Sequence, residues 1–583
     1  MPSFASQGLR ALALCLFAPL ALAQWQAKVD SALLEAPMAL EWLVELPNSA
    51  DLSPADRIAD KTLKGAFVMQ TLKAQAAATQ GPVLALLAQR GLDARAFWIS
   101  NAIHVRGGDA ADLAALAALP AVSFVHGVAA PDFSRSPRNS GGGAVTAEAR
   151  MLDPASGFLV EPGLQLTRAP EVWAQGVEGQ GVVVGDHDIG VEWTHPSLKR
   201  QYRGYDAASD SAEHAYHWRN AFGADDPYCP EVEPCDSNSH GTHTTGTMVG
   251  EDLAMNLRIG MAPQAQWMGC RSLLDPIVGL GTLPTYIDCM EWFIAPYPAG
   301  APEAADPAMA PDVVNNSWGC AEACPPGILQ AADEATKAAG IVQVGSAGNE
   351  GEGELLCSTI VFPLAIYETT FTVGASTFED TMAGFSSRGP VLSDLSQRLK
   401  PNVVAPGVNV NSAELNGTYG TKSGTSMAGP HVAGLVALMI SAEPRLRGQV
   451  DTIRELIQQT AVPIASGQSC GGTGPSDIPN NVFGFGRVDA LAAVEAIATL
   501  GLDPLPTPAP ARAASRTAGG ALAPLLLALL ALPLLAARDP FSRGGGAPRL
   551  KGSRAGPGPN RPGAQLAWMM PTDHTEAGAA RHD

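Results

Sequence analysis

Three residue types that can act together on a carbonyl stand far apart in this 583-residue chain, each among small or apolar neighbours. In Val182-Val183-Val184-Gly185-Asp186-His187-Asp188-Ile189-Gly190-Val191 an apolar strand runs straight into carboxylates and a glycine turn. Asn238-Ser239-His240-Gly241-Thr242-His243 sets an imidazole among small residues, and Gly424-Thr425-Ser426-Met427-Ala428-Gly429-Pro430-His431 does the same for a hydroxyl. A neutral hydroxyl is a weak nucleophile. It becomes effective when an imidazole takes its proton and a carboxylate behind the ring fixes the tautomer and stabilises the imidazolium. The segments therefore predict Asp188, His240 and Ser426 as a catalytic set, with an acyl intermediate on Ser426 that water removes by the reverse sequence. An imidazole base further predicts activity that rises with pH.

Charge that develops on the former carbonyl oxygen requires a fixed donor beyond the nucleophile's own amide. Ser346-Ala347-Gly348-Asn349-Glu350-Gly351, directly after the apolar run Ile341 to Val344, offers Asn349, although Asn and Gly also cluster in ordinary turns. Small residues flank Ser426, Pro430 suits a first helical turn, and Val432, Leu435, Val436 and Met439 continue at helical spacing. Ser426 is thus expected at a helix amino end, where the dipole and free N–H groups favour negative charge. A metal reading fares worse. His240 and His243 are three apart, but a zinc helix of the H-E-x-x-H kind has Glu where this chain has Gly241. No metal ligands are assigned, and the chemistry requires no cofactor.

Taken together and in this chain order, the segments resemble the active-site signatures of the subtilisin-like serine peptidases, over about residues 163–494. The blocks Asn315-Asn316-Ser317-Trp318-Gly319-Cys320, Phe385-Ser386-Ser387-Arg388-Gly389-Pro390 and Val404-Ala405-Pro406-Gly407 are most similar to the bacillopeptidase F branch. The resemblance implies a serine endopeptidase with protein or peptide substrates held as an added strand. It implies Asn349 as the oxyanion donor and Ser317, Trp318 and Gly319 as the wall of the primary specificity pocket. Gly190, Val191, His195 and Pro196 register the family's aspartate at Asp188 rather than at Asp186, although Ile189 stands where the family has Thr or Ser. His195, His243 and His431 are expected to be packed, hydrogen-bonded neighbours. Ser197 occupies the place of a carboxylate in the family's strong calcium site, so structural calcium has no support here. The alternative function is a catalytically inactive envelope binding protein on the same fold; degenerate members usually lack a triad residue, and this chain has all three.

These residues need elements to carry them. Short apolar strands at Val182–Val184, Val313–Asn315 and Ile341–Val344 alternate with Ala-rich helices, which predicts an α/β fold with a mostly parallel central sheet flanked by helices. Active groups in such sheets gather at the carboxyl ends of strands. Ahead of it, residues 24–128 read as strand, long helix to about Ala88, two short strands, helix and strand, a small ferredoxin-like α+β domain. The resemblance makes this an inhibitor-like propeptide, the chain's own intramolecular inhibitor. Residues 129–162 follow as a linker with the processing site, and 163–500 form the peptidase domain.

The ends read as addresses. Arg10, the apolar run from Ala11 and Ala21-Leu22-Ala23 mark residues 1–23 as a signal peptide for a secreted or envelope protein. Past a Pro/Ala-rich linker at 501–520, residues 521–538 are a hydrophobic sorting or membrane segment of borderline spanning length. That layout resembles tails cut by rhomboid-type sorting proteases, and 539–583 read as a disordered tail. Nine cysteines become eight once Cys15 leaves with the signal, an even number suited to an oxidising compartment. Eight allow 105 pairings; Cys229 with Cys235 and Cys320 with Cys324 would close short loops, and Cys270 with Cys289 and Cys357 with Cys470 would follow by elimination. A net charge of −20 opposes nucleic-acid binding, and 46% apolar residues suffice for a sizeable core.

Overall fold

Leading the chain is a four-stranded antiparallel sheet: β1 (Glu41–Glu45), β2 (Asp93–Phe97), β3 (Ala102–Arg106) and β4 (Phe124–Val128), in the order β2-β3-β1-β4. Between β1 and β2 lie α1 (Lys61–Thr79) and α2 (Gly81–Arg90), and α3 (Ala110–Ala117) joins β3 to β4. The single long helix expected up to about Ala88 is two helices. Pro82 stands in the first turn of α2, where its missing N–H costs nothing but where α1 cannot continue unbroken. Asp60 starts α1 by accepting from the Leu63 amide at 2.9 Å, and Asp109 and Asp112 form a capping box at α3.

The computed structural model describes residues 25–38, 41–128, 151–154, 156–274, 281–320, 324–352, 356–474 and 476–501. Residues 1–24, where a signal peptide is expected, residues 129–150 of the expected linker, and residues 502–583 with the expected hydrophobic segment and tail lie outside the described residues. By its contacts the chain divides into Met1–Pro504 and Leu505–Asp583.

The larger part of the first unit is built on a seven-stranded sheet, parallel throughout. Its strands are β5 (Val183–Asp188), β6 (Trp218–Asn220), β7 (Gln266–Arg271), β8 (Val313–Asn316), β9 (Val342–Ser346), β10 (Phe371–Ser376) and β11 (Val403–Pro406), in the order β6-β7-β5-β8-β9-β10-β11. Helices cover both faces: α4 (His240–Val249), α5 (Leu283–Ile294), α6 (Gln330–Ala338), α7 (Thr425–Ala442), α8 (Val450–Thr460) and α9 (Ala490–Ala496). The hairpin β12 (Val410–Glu414) and β13 (Thr418–Lys422) leads into α7. Strands buried on both faces carry adjacent apolar residues in Val313-Val314 and Val403-Val404, whereas β9 and β10 set the buried polar Gln343 and Thr372 between theirs.

Helix α7 crosses this sheet and is the middle of the core. Val432, Leu435, Val436 and Met439 are fully buried, each contributing about 1.5–3 kcal/mol by leaving water. It is also the one helix among the described residues long and apolar enough to span a membrane, and its burial marks it as a core helix instead. Residues 151–160, within the expected linker, pair onto the peptidase domain: Leu159–Val160 lies parallel to Leu257–Arg258, with Met151–Leu152 outside it. All four disulfides pair as spacing and elimination suggested: Cys229–Cys235, Cys270–Cys289, Cys320–Cys324 and Cys357–Cys470.

The small sheet docks on the large domain through buried charge. Glu291 of α5 accepts from the Trp98 and Ile99 amides at 2.7 and 3.1 Å. Asp288 of the same helix holds Arg95 of β2 and Arg219 of β6. On the far side Lys61 meets Asp312 at 3.1 Å, and Lys64 donates to the Gly448 carbonyl at 2.7 Å.

Candidate active site

Asp188 is the last residue of β5 and His240 the first of α4. The ring's Nδ1 donates to the carboxylate, 2.8 Å from Oδ1 and 2.9 Å from Oδ2, and both side chains are buried. The carboxylate also accepts from the Ile189 amide at 2.7 Å, the backbone support expected of an acid at a strand end. Two glycines permit this approach. A Cβ on Gly241 would lie 2.0 Å from the Gly190 carbonyl, and Gly190 itself turns at φ +129 with the Cys235 carbonyl 1.9 Å from where its Cβ would be. Asp236 then starts α4, accepting from the Asn238, Ser239 and Thr242 amides.

Asp186, the rival carboxylate, does not touch His240. It is enclosed by Thr244 and Thr245 of α4 and by Asn315 of β8, and burial, followed by the charge of Asp188, raises its proton affinity well above the ordinary range. His187 between them donates from Nδ1 to Asn316 at 3.1 Å among Tyr286, Phe293 and Trp318. Burial pushes it down to about 3, so it is neutral.

Ser426 is the second residue of α7, and its hydroxyl donates to the Ser317 carbonyl at 3.3 Å. Ser426, His240, Asn349, Ser317, Trp318 and Gly319 line one cleft of about 490 Å³. Asn349 follows β9, and its Oδ1 accepts from the Thr425 amide at 2.9 Å and the Thr425 hydroxyl at 3.0 Å. That leaves its Nδ2 facing Gly424: the point where a Cβ of Gly424 would sit is 3.8 Å from Asn349 Nδ2 and 3.7 Å from the Ser426 amide. Two N–H donors thus flank the same spot beside Ser426, an arrangement with the chemistry to steady an oxyanion.

Trp318 is both core and wall. Its ring stacks on Tyr286 at 4.3 Å with only 8° between planes, yet it borders the cleft. Ser317 has a part that its place beside the pocket does not suggest. Its Oγ donates to the Ser426 carbonyl at 2.9 Å. Pro430, expected in a first helical turn, lies one turn further in because α7 begins at Thr425. It has no N–H for the Ser426 carbonyl four residues back, and Ser317 replaces that bond. The signal was in the sequence: a proline four residues after the nucleophile strips a carbonyl of its partner.

The three bystander histidines are packed and bonded. His195 donates from Nε2 to the Thr418 carbonyl, His243 from Nε2 to the Val410 carbonyl, and His431 from Nδ1 to the Met427 carbonyl. Burial lowers the first two, and His243 lies well below the usual imidazole range. Ser197 shares its hydroxyl with His195 Nδ1 at 2.9 Å. Among the described residues no cluster of His, Cys, Asp or Glu is arranged to hold a metal ion.

The model of the Subtilase family matches residues 179–486. Bacillopeptidase F of Bacillus subtilis (strain 168) is 38% identical over 338 residues, which is 56% of this chain and 22% of that protein. Thermophilic serine proteinase of Bacillus sp. (strain AK1) is 33% identical over 335 residues, 57% of this chain and 66% of that protein. Subtilisin of Bacillus pumilus is 31% identical over 306 residues, 52% of this chain and 92% of that protein. The chain therefore spans less than two thirds of the length of the first two.

Proposed function

Because the chain belongs to the subtilase family, we propose that it is a secreted serine endopeptidase, made as a zymogen, with Asp188, His240 and Ser426 as its triad. The observation that carries this reading is the His240 ring seated on the Asp188 carboxylate in a cleft that Ser426 also lines. Turning about its own χ1, Ser426 exchanges the Ser317 carbonyl for His240 Nε2, and Oγ attacks a peptide carbonyl as the ring takes its proton. Asp188 holds the tautomer and steadies the imidazolium. Asn349 Nδ2 and the Ser426 amide receive the oxyanion, protonated His240 gives its proton to the leaving amine, and water hydrolyses the acyl-enzyme. No step needs a cofactor or metal. The substrate is a protein or peptide chain laid along the cleft, with Ser317, Trp318 and Gly319 walling its primary pocket.

The small amino-terminal domain acts in this scheme as the propeptide and inhibitor. What supports its departure is charge pairing that survives it: Asp312 keeps Arg447 at 3.0 Å, and Asp288 keeps Arg219 at 2.9 Å, both from the peptidase domain itself. Cleavage within 129–150 leaves the strand at Leu159–Val160 with the mature enzyme. Residues 1–23 direct export, and a rhomboid-type sorting protease acts on the hydrophobic segment at 521–538. The test is Ser426→Ala in the full chain. The wild type labels with a fluorophosphonate and yields trimmed, active enzyme; the variant stays full-length, unlabelled and inactive. A variant trimmed like the wild type overturns self-processing and assigns the cut to a separate enzyme, whereas a wild type that neither labels nor cleaves casein overturns the reading in favour of an inert binding scaffold.

A further inference from the structure

The His240 helix and the nucleophile's own carbonyl are both tied to a single buried carboxyl. Thr244 and Thr245 of α4 reach Asp186 at 3.1 and 3.0 Å. Asn315 Nδ2 lies 3.1 Å from Asp186 Oδ1 and 2.9 Å from Ser317 Oγ, and Ser317 Oγ donates to the Ser426 carbonyl. Every donor in this line points one way, from the amide through one hydroxyl to the carbonyl that Pro430 leaves without its helical partner. All five side chains, Asp186, Thr244, Thr245, Asn315 and Ser317, are buried.

We propose that Asp186 is a positioning residue for the reaction, the hub of a hydrogen-bonded line through Asn315 and Ser317 that fixes the nucleophile's turn against the His240 helix. The proposal rests on the triad reading above. Hydrogen bonding, not charge, is what Asp186 contributes. Its carboxyl is enclosed beside the negative Asp188, and burial first, then that charge, favour the neutral acid. Valence agrees. Thr244 Oγ1 has one proton and also lies 3.0 Å from the Gly241 carbonyl, which can only accept. When that proton goes to Gly241, the contact with Asp186 is made by the proton of the carboxyl.

The reach of the line sets its effect. A nucleophile displaced by about 1 Å can lose on the order of 10²-fold in rate while the substrate still binds. A contact that merely supports the fold lowers stability without changing turnover per intact site. The experiment is kcat and KM on a peptide substrate, normalised to sites titrated with a fluorophosphonate, for Asp186→Ala, Asp186→Asn, Ser317→Ala and the pair Asp186→Ala with Ser317→Ala. Expected for Asp186→Ala and Ser317→Ala is a kcat about 10- to 100-fold lower at nearly constant KM, with the pair much less than multiplicative because both cut one line. Asp186→Asn, which keeps the shape and both hydrogen-bonding functions, restores most of the loss. Unchanged kcat per titrated site in Asp186→Ala and Ser317→Ala overturns the proposal. So does an Asp186→Asn variant as impaired as the alanine, since charge would then be the contribution. Should Asp186→Ala not fold, Ser317→Ala and Asp186→Asn still decide. Asp188→Asn run alongside separates the two ideas: if it keeps full kcat, the triad assignment itself is wrong, whatever Asp186 does.

Discussion

In the proposed mechanism Asn349 divides one amide between two duties. Its oxygen is spent on the Thr425 amide and hydroxyl, so the nitrogen is the end turned to the reacting centre. The same two bonds hold the turn before Ser426, which makes the donor rigid before substrate arrives, the condition under which such a donor lowers a barrier. A donor that meets full charge only in the transition state affects turnover rather than binding. Asn349→Ala is therefore expected to lower kcat on the order of 10²- to 10³-fold at nearly constant KM, a scale taken from a subtilisin that lost its asparagine donor. Steady-state kinetics on a short peptide check it; a rise in KM with kcat preserved would assign Asn349 to substrate binding instead.

Element geometry explains why the sequence could not choose between two aspartates without help from the resemblance. Residues two apart on a strand face the same side, so Asp186 and Asp188 both point at α4. Two strand residues advance about 6.6 Å and four helical residues about 6 Å, so Asp188 meets His240 while Asp186 meets Thr244. Motif and parallel sheet were legible because apolar runs and glycine turns are local signals. The Ser317 bond was not read, because it joins a loop to a helix 109 residues later. Helix α1 was overextended because Ala and Leu continue past Gly81-Pro82, and only the proline marks the break. The disulfides act at this scale too. Cys357–Cys470 spans 113 residues, and loop-closure entropy predicts that the double serine variant loses about 2–5 kcal/mol. Its Tm without reductant should fall well below the wild type's, whereas an unchanged Tm would mean the bridge constrains little in the unfolded chain.

For the molecule as a whole, the contact between the small sheet and the peptidase domain has a built-in dependence on pH. Glu291 lies buried in it, facing the Trp98 and Ile99 amides, with Arg95 and Asp288 as the charged neighbours. Burial raises its carboxyl from 4.5 to about 7. Once the small domain leaves, or the chain unfolds, Glu291 returns to the ordinary carboxylate range. Between about 4.5 and about 7 the docked state therefore binds more protons than the separated one, and docking weakens as pH rises through that window. Below it Glu291 is protonated in both states and its contribution is fully present. Asp288 and Asp312 have the opposite sign, because both are held below the ordinary aspartate range and lose their contribution only in stronger acid. Exposure to neutral or alkaline surroundings should thus loosen the small domain from the larger one. In the uncut Ser426→Ala chain, protection of the β2–β3 amides from hydrogen exchange is expected to fall between pH 5 and 7.5, and Glu291→Gln in that background, neutral at every pH, should flatten the fall. An equal pH slope in both chains would remove Glu291 from the release of the small domain and leave its buried carboxyl as packing alone.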